Sequence, residues 1–257
     1  MRFHVSLLLT TCLALTPIAT ASAEHGVAVR AEGYLGYSNL DLGIVDLDAF
    51  QGGGAASASA NFDEIYLQGD VFGDDMDFER GAKADNVGSG LHMGWRDSNR
   101  GSVGAVGTYN SLDLGGGTAE IYRVGLESEA YLERVTLGLN AGYLDLDGSS
   151  LAYVETLFAL YPTDHARINF RIGAVGIEDS DRLVTLGLGA NFLMNDSVAP
   201  FLRWEASISD EFSDVFQHSL VAGLTLYFGA ETPSLQTYDR SFFKQSCSGI
   251  LIIGRLC

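Results

Sequence analysis

The 257-residue sequence predicts an all-β protein, a closed antiparallel transmembrane β-barrel of about twelve strands, with ten to twelve compatible with the pattern. Three observations predict it: strands whose two faces use different residues, an N-terminal export signal, and the lack of an apolar run long enough for a membrane helix. After residue 24 no run approaches the roughly 18 apolar residues that such a helix needs. Since only helices and closed barrels satisfy every backbone group in lipid, an exported membrane protein of this kind must be a barrel.

The two faces of the predicted strands carry different residue types. The difference is clearest over Leu183–Leu193, which reads LVTLGLGANFL. Apolar residues alternate with Thr, Gly and Asn, and successive side chains of a strand point to opposite sides of the sheet. The pattern returns over residues 135–143 and 166–174, where arginines join the polar face. A small, glycine-rich polar face with arginines is typical of a narrow lumen, opposite an apolar face towards lipid. The architectural alternative is a soluble β-sandwich.

The N-terminus has the three parts of a secretory signal. Arg2 precedes an apolar stretch, Val5–Ile18, which ends in a small-residue cleavage site at residues 21–23. We therefore expect residues 1–23 to be a signal peptide and residues 24–228 to form the transmembrane barrel.

Each strand is predicted as a run of alternating residues bounded by turn residues. In order, the predicted strands are 27–37, 42–50, 55–72, 87–95, 103–109, 119–131, 135–144, 151–161, 166–177, 183–193, 198–208 and 216–228. The second is weak, and including it gives twelve, which the even strand number of bacterial barrels favours over eleven.

The connections are predicted to differ between the two ends of the barrel. Gly52-Gly53-Gly54 reads as a turn, and the acidic, aperiodic stretch 73–86 as a long exposed loop. The short turns, which we assign to the periplasmic end, lie near Asp97, Glu133, Pro162 and Asn195.

The composition restricts the partners and the fold class. The formal net charge is −18, with 33 acidic and 15 basic side chains. This balance argues against nucleic acid as a partner, because such binding depends on neutralising phosphates with Lys and Arg. Cys247 and Cys257 are the only cysteines after the expected cleavage site, too few for a disulfide scaffold.

The final predicted strand, His218–Phe228, alternates apolar residues and ends on an aromatic residue, like the terminal strand that barrel-assembly machinery recognises. With the export signal, the chain resembles the porin-like outer-membrane β-barrel proteins of Gram-negative bacteria over residues 27–228. This resemblance implies location in the outer membrane. It also implies outer-membrane lipids, lipopolysaccharide, the barrel-assembly machinery and small polar solutes as partners.

The chain departs from this family after Phe228, where typical members end. Residues 229–257 form a C-terminal tail that we expect to be a periplasmic extension. Two further arrangements fit the tail: a small loop closed by Cys247 and Cys257, since the periplasm is oxidising, or a segment that folds back to plug the lumen.

Charged residues on the polar strand faces are the candidate functional residues, because rings of charged side chains set selectivity in a pore. The predicted pore-lining residues are Arg123, Glu127, Glu155, Arg167, Arg171, Arg203 and Glu205. The same residues could instead pair with one another and fill a closed interior.

Catalytic and metal-binding patterns are weak. Adjacent residues such as His218 and Ser219 face opposite sides of a strand, so the histidine cannot activate the serine as in some outer-membrane lipid hydrolases. The stretch Asp145–Ser149 resembles the start of a calcium loop, but the acid required at the twelfth position would be Thr156. The sequence therefore predicts a porin-like passive channel without enzymatic activity, cofactor or metal. The alternatives are a closed structural or surface-interaction barrel and, third, a lipid-modifying enzyme.

Overall fold

Twelve antiparallel strands close into a barrel in which every strand pairs with its sequence neighbours and β1 pairs with β12. The computed structural model describes residues 26–42, 46–79, 81–146, 148–176, 182–209, 215–229 and 234–244. The signal-peptide prediction and both tail cysteines lie outside these residues. The predicted fold class and strand number are confirmed.

Nine of the twelve strands are longer than the sequence indicated. Their bounds are β1 Val27–Leu42, β2 Asp46–Phe62, β3 Ile65–Phe78, β4 Lys83–Asp97, β5 Gly101–Asp113, β6 Thr118–Leu132, β7 Val135–Leu146, β8 Ser149–Thr163, β9 Ala166–Gly176, β10 Arg182–Phe192, β11 Val198–Ser209 and β12 Val215–Phe228. We call the end that carries Val27 and Phe228 the terminal end, and the opposite end the loop end. The four short turns predicted from the sequence all lie at the terminal end.

The alternation of the two strand faces is confirmed in the burial of their side chains. On β10, Leu188 and Phe192 point outward and are 50% and 55% exposed, whereas Asn191 points inward and is 7% exposed. On β6, Val124 and Leu126 are 64% and 70% exposed. An outer surface of exposed aliphatic and aromatic side chains around a closed sheet is the lipid-facing belt of a transmembrane barrel.

The predicted boundaries of β2 and β3 are wrong. The three glycines, Gly52 to Gly54, lie inside β2, and the turn lies at Asp63 and Glu64, where Asp63 has a φ of 57°. The glycines serve close packing: a side chain at Gly53 would meet an oxygen of Asp74 and the hydroxyl of Tyr34. A glycine in a sequence of this kind can mark either a turn or a place where another part of the protein approaches the strand backbone closely.

The long exposed loop predicted at residues 73–86 is also wrong. Its residues continue β3 and begin β4, with Asp75 paired to Asp85 and Asp77 to Lys83 across the ladder. Asp74 and Met76 point inward, while Asp75 and Asp77 are exposed. The alternation was hidden because acidic residues occupy both faces of this hairpin near the loop end.

No helix among the residues that the structure describes is long and apolar enough to cross a membrane.

A charge on the lipid-facing belt should destabilise the barrel. We expect Leu126→Arg, near the middle of β6, to lower the free energy of unfolding by about 2–4 kcal/mol, the cost of a cation at the bilayer midplane. Urea titration in phospholipid bilayers, followed by tryptophan fluorescence, measures the change. Thr118→Arg, at the loop end of the same strand, is the control and should change stability little. Equal tolerance of both substitutions would contradict a lipid-facing belt.

Candidate functional site: the barrel lumen

All seven predicted pore-lining residues are placed on the inner face of the wall. Arg123, Glu127, Arg167, Arg171 and Glu205 are each less than 10% exposed, and the other two are half-buried. The structure therefore brings them into one lumen, on the four strands β6, β8, β9 and β11. Their role as pore lining stays a prediction.

Glycines on the inner face accept aromatic rings. The ring of Tyr153 lies across Gly125, where an added Cβ would stand 3.0 Å from its Cζ, and the hydroxyl donates to Asn140 at 2.9 Å. Tyr66 likewise lies across the cross-strand pair Gly94 and Gly104. These inner-face glycines therefore make room for tyrosine rings rather than leaving the lumen open at these positions.

Each of these two tyrosines carries an arginine on its lumen side. The guanidinium carbon of Arg123 lies 3.8 Å from the ring centroid of Tyr153, and that of Arg96 lies 4.3 Å from the centroid of Tyr66. A cation over an aromatic face is held by the ring quadrupole. This stacking fixes the position of each arginine without a carboxylate.

Arg123 has no ion-pair partner among the described residues. It is 4% exposed, and none of its three guanidinium nitrogens has a hydrogen-bond partner there. Its neighbour across the β6–β7 ladder is the apolar Leu144. Arg123 therefore places a buried cation in this part of the lumen without a hydrogen-bonded carboxylate among the described residues.

Some of the other charges of the lumen are paired. The ring of His92 lies between two carboxylates, with Nδ1 2.8 Å from Glu127 and Nε2 3.0 Å from Asp70. Both nitrogens facing carboxylate oxygens suits the doubly protonated ring, because ionised carboxylates only accept hydrogen bonds. Tyr66 donates its hydroxyl to Glu127, and the amide of Gln68 donates to Asp70 at 3.0 Å.

A second paired group lies on the opposite side of the lumen. Arg203 is 3.4 Å from Glu32 and 4.0 Å from Glu205. The contact with Glu32 links β11 to β1 across β12, which lies between them, whereas Glu205 is on β11 itself. Arginine–glutamate pairing inside the barrel is the arrangement expected of a filled interior, and it occurs here for part of the charged set.

The inner face towards the loop end contains two apolar clusters, a feature that sequence reasoning missed. Ile121 and Leu144 are 2% and 1% exposed and pack in one cluster with other inward-facing side chains. That cluster comprises Ile121, Leu144, Tyr153, Val175 and Leu183, and a second comprises Tyr34, Ala49, Met76, Ala84, Phe201 and Val221. The alternation of strand residues could have predicted the inward position of Ile121, since it lies two residues before Arg123 and shares its face.

The C-terminal segment, residues 234–244, lies inside the terminal end. A single helical turn, Leu235–Thr237, begins at the N-cap Ser234 and continues as a π-helical turn, Tyr238–Phe242. Its apolar side chains join a buried cluster with the wall, composed of Ala28, Ala159, Tyr161, Leu193, Ala199, Tyr227, Leu235, Tyr238 and Phe243. For these residues the chain adopts the folded-back arrangement rather than a free periplasmic extension.

Asp239 forms the main ionic anchor of the C-terminal segment. Its carboxylate lies 2.7 Å from Arg167 and accepts the hydroxyl of Tyr161 at 2.8 Å, and all three side chains are less than 10% exposed. Arg167 was predicted to line a pore, and its partner could not be foreseen because 72 residues separate the two.

Two basic side chains complete the attachment. Arg240 donates to backbone carbonyls of the β6–β7 turn, at Leu132, Glu133 and Val135, over 2.7 to 3.2 Å. Lys244 lies 3.0 Å from Glu129. The hydroxyl of Tyr238 donates to the carbonyl of Asp196 at 3.0 Å, and burial raises its pKa to about 12, so it stays protonated at neutral pH.

The residues considered for catalysis or calcium binding are not brought together as a site. Ser219 is 2% exposed on the inner face, and His218 is half-buried on the outer one. Asp145 accepts the backbone N–H of Gly148 at 3.1 Å, which caps its turn. Among the described residues no group of three or more His, Cys, Asp or Glu side chains is placed to hold a metal ion.

Comparison with known proteins places the fold. No protein-family model matches the sequence, and no curated protein matches it. The translocator domain of the autotransporter NalP from Neisseria meningitidis has a TM-score of 0.55 and 12% identity, covering 87% of this chain and 96% of that one. An outer-membrane channel from Pseudomonas putida F1 has a TM-score of 0.59 and 8% identity, covering 79% and 96%.

A third similar structure is the β-domain of the Bordetella autotransporter BrkA, with a TM-score of 0.50 and 12% identity, covering 79% of this chain and 99% of that one. At these identities the likeness shows the fold alone. The fold is that of outer-membrane β-barrels, the class that the sequence resembles.

A larger side chain at a glycine that is covered by a tyrosine ring should destabilise the barrel. We expect Gly125→Val to displace the ring of Tyr153 and lower the free energy of unfolding by about 1–3 kcal/mol, the usual cost of overpacking. The measurement is urea titration in bilayers. Gly69→Val is the matched control, because a Cβ at that outer-face glycine meets nothing within 4 Å. If Tyr153→Leu in the Gly125→Val background restores none of the loss, contact with the ring of Tyr153 is not the cause.

Proposed function

We propose that the protein is a porin-like channel of the outer membrane for the passive diffusion of small polar solutes, held closed by its own C-terminal segment. The observation that carries the proposal is the belt of ionisable side chains on the inner face of a wall whose outer face is apolar. Polar solutes need such a belt to replace part of their hydration.

The position of the C-terminal segment supports a removable closure. The segment contributes no strand, so all twelve strands and the β1–β12 pairing are complete without it. Three of its side chains, Asp239, Arg240 and Lys244, attach it to the wall by ion pairs and hydrogen bonds. A segment attached in this way can leave the lumen without opening the sheet.

The unpaired Arg123 supports a preference for anions. Its charge lies where the apolar clusters of the loop end meet the charged middle of the lumen. A fixed cation in a narrow, low-dielectric passage lowers the barrier for anions and raises that for cations.

A closed structural barrel is the second candidate. The observation that favours it is the pair of apolar clusters on the inner face near the loop end, which fill the lumen with the chain's own side chains. The channel proposal requires these side chains to part, and the closed barrel does not.

The proposal includes outer-membrane lipids, lipopolysaccharide and the barrel-assembly machinery as partners. It involves no chemical step and no cofactor.

Loosening the C-terminal segment should increase conduction. In planar bilayers we expect the full chain to open rarely, and Asp239→Asn, which leaves Arg167 buried without its counter-ion, to raise the open probability about tenfold or more. A chain ending at Gly229 should show discrete conductance steps and be open most of the time. Asp97→Asn, in a turn of the same end, is the control. A folded, heat-modifiable but silent truncated chain would support the closed barrel instead.

Reversing the charge at Arg123 should change ion selectivity. In the chain ending at Gly229 we expect Arg123→Glu to shift the reversal potential in a KCl gradient towards cation preference, because the substitution places a negative charge in the narrow lumen. Arg134→Glu, in the exposed turn of the terminal end, should leave the potential almost unchanged. An equal shift for both variants would mean that the lumen charge does not control selectivity.

A further inference from the structure

The carboxylate of Asp239 occupies a pocket built by side chains of the barrel wall. Arg167 donates from Nη1 to both oxygens of Asp239 at 2.7 Å, and the hydroxyl of Tyr161 donates to one of them at 2.8 Å. Nη2 of the same arginine donates to the amide oxygen of Asn191 at 2.9 Å. We call Tyr161, Arg167 and Asn191 the carboxylate pocket. The C-terminal segment supplies the carboxylate, and the wall supplies these three side chains.

Three neighbouring strands build the carboxylate pocket. Arg167 on β9 and Asn191 on β10 are directly paired across the ladder. On the other side of β9 the register of β8 shifts by one residue between Leu160 and Thr163, so that Tyr161 and the residue after it stand opposite Arg167. A β-bulge of this kind redirects a side chain. The pocket is therefore a property of the closed sheet, and its three side chains stay in place when the C-terminal segment leaves.

The carboxylate pocket is buried and carries a positive charge. Tyr161 is fully buried, and Arg167 and Asn191 are 8% and 7% exposed. A buried cation is costly unless an anion pairs with it. When Asp239 leaves, the pocket therefore favours an anion from solution in its place.

The way in which Asp239 is held defines the class of anion. Its carboxylate is planar and singly charged, and Arg167 supplies one positive charge and donors to both oxygens. Guanidinium donors suit the geometry of a carboxylate, and hydrogen bonds between charged groups are strong. Beyond Cα the side chain of Asp239 is one methylene group and a carboxylate, which are the heavy atoms of acetate. A short-chain carboxylate is therefore the free ligand that these contacts fit.

The carboxylate pocket lies on the inner face of the wall, at the terminal end of the lumen. The short turns of this end are the ones that the sequence assigns to the periplasm. Arg171 follows four residues further along the same face of β9, about 13 Å towards the loop end. Two basic side chains of one strand therefore lie along the wall that a solute in the lumen would pass.

We propose that the carboxylate pocket is a binding site for short-chain organic carboxylates, and that Asp239 takes the place of such a ligand when the C-terminal segment closes the barrel. As a site for the transported solute it rests on the proposed channel function, whereas as a binding site it rests on the contacts of the wall alone. The C-terminal segment and the solute compete for one pocket, so closure and passage exclude one another there.

Binding of ¹³C-labelled formate by the full chain in detergent micelles tests the site without conductance. Asp239→Ala keeps the Cβ atom and removes the carboxylate, which leaves the space of one formate ion. We expect the formate resonance to broaden with this variant and to stay sharp with the unsubstituted chain, whose pocket holds Asp239. Asp97→Ala, which removes a carboxylate from a turn of the same end, is the matched control and should leave the resonance sharp. Chloride at equal concentration should not displace formate.

Two further substitutions in the Asp239→Ala background identify the side chains that hold the ligand. Tyr161→Phe removes one donor to the carboxylate and should weaken formate binding about tenfold. Arg167→Gln should abolish binding, and removing the cation together with Asp239 is tolerated better than removing one partner of the pair. A resonance that stays sharp with Asp239→Ala, broadening that survives Arg167→Gln, or displacement of formate by equal chloride would each overturn the proposal.

Conductance of the full-length Asp239→Ala chain in planar bilayers separates the site from the channel. We expect its conductance to saturate with the concentration of potassium acetate and to rise linearly with that of KCl, because a solute that binds in the lumen limits its own passage. Formate binding by a chain that is silent in bilayers would support the carboxylate pocket and contradict the channel. Linear conductance in both salts would overturn the pocket as a site for the transported solute.

Discussion

Closure of the sheet is the constraint on which the rest of the structure depends. In lipid each unpaired backbone group is costly, so the first and last strands must satisfy one another. β1 and β12 do so from Val29 paired with Phe228 to Leu42 paired with Val215. Once the sheet is closed, the period of two sends every second side chain to lipid and the others into one shared lumen. The charged side chains therefore meet because the wall is closed, although they are far apart in the chain.

The crowding of the lumen determines how its charges are arranged. Aromatic rings lie flat on glycines of the wall, which brings Tyr66 and Tyr153 close to the backbone and leaves their faces to Arg96 and Arg123. Carboxylates then pair with the remaining cations, as Glu127 does with His92. The guanidinium groups of Arg96 and Arg123 have no hydrogen-bond partner among the described residues, and the charge of Arg123 connects the packing of the wall to the proposed selectivity.

The C-terminal segment is held by apolar contacts and an ion pair, as the side chains of the wall are, but it does not pair with a strand through its backbone. Gly229 has a φ of 104°, a conformation that glycine adopts readily, at the point where the chain leaves β12. The segment then gains an apolar core with Tyr227 and an ion pair between Asp239 and Arg167. The terminal end is thereby closed by a part of the chain that the barrel does not need for its own closure.

The sequence by itself determined the fold class, the strand number and the inner position of the charged residues, because the period of two is a local property of an extended chain. It could not separate Gly53 in a strand from a glycine in a turn, since the reason for Gly53 is its contact with Tyr34 and Asp74. Tertiary structure alone decided that Arg167 pairs with Asp239 while Arg123 stacks on Tyr153 without an ion-pair partner among the described residues, and that Ile121 joins an apolar cluster. These are contacts across the lumen, and the closure and register of the sheet set them.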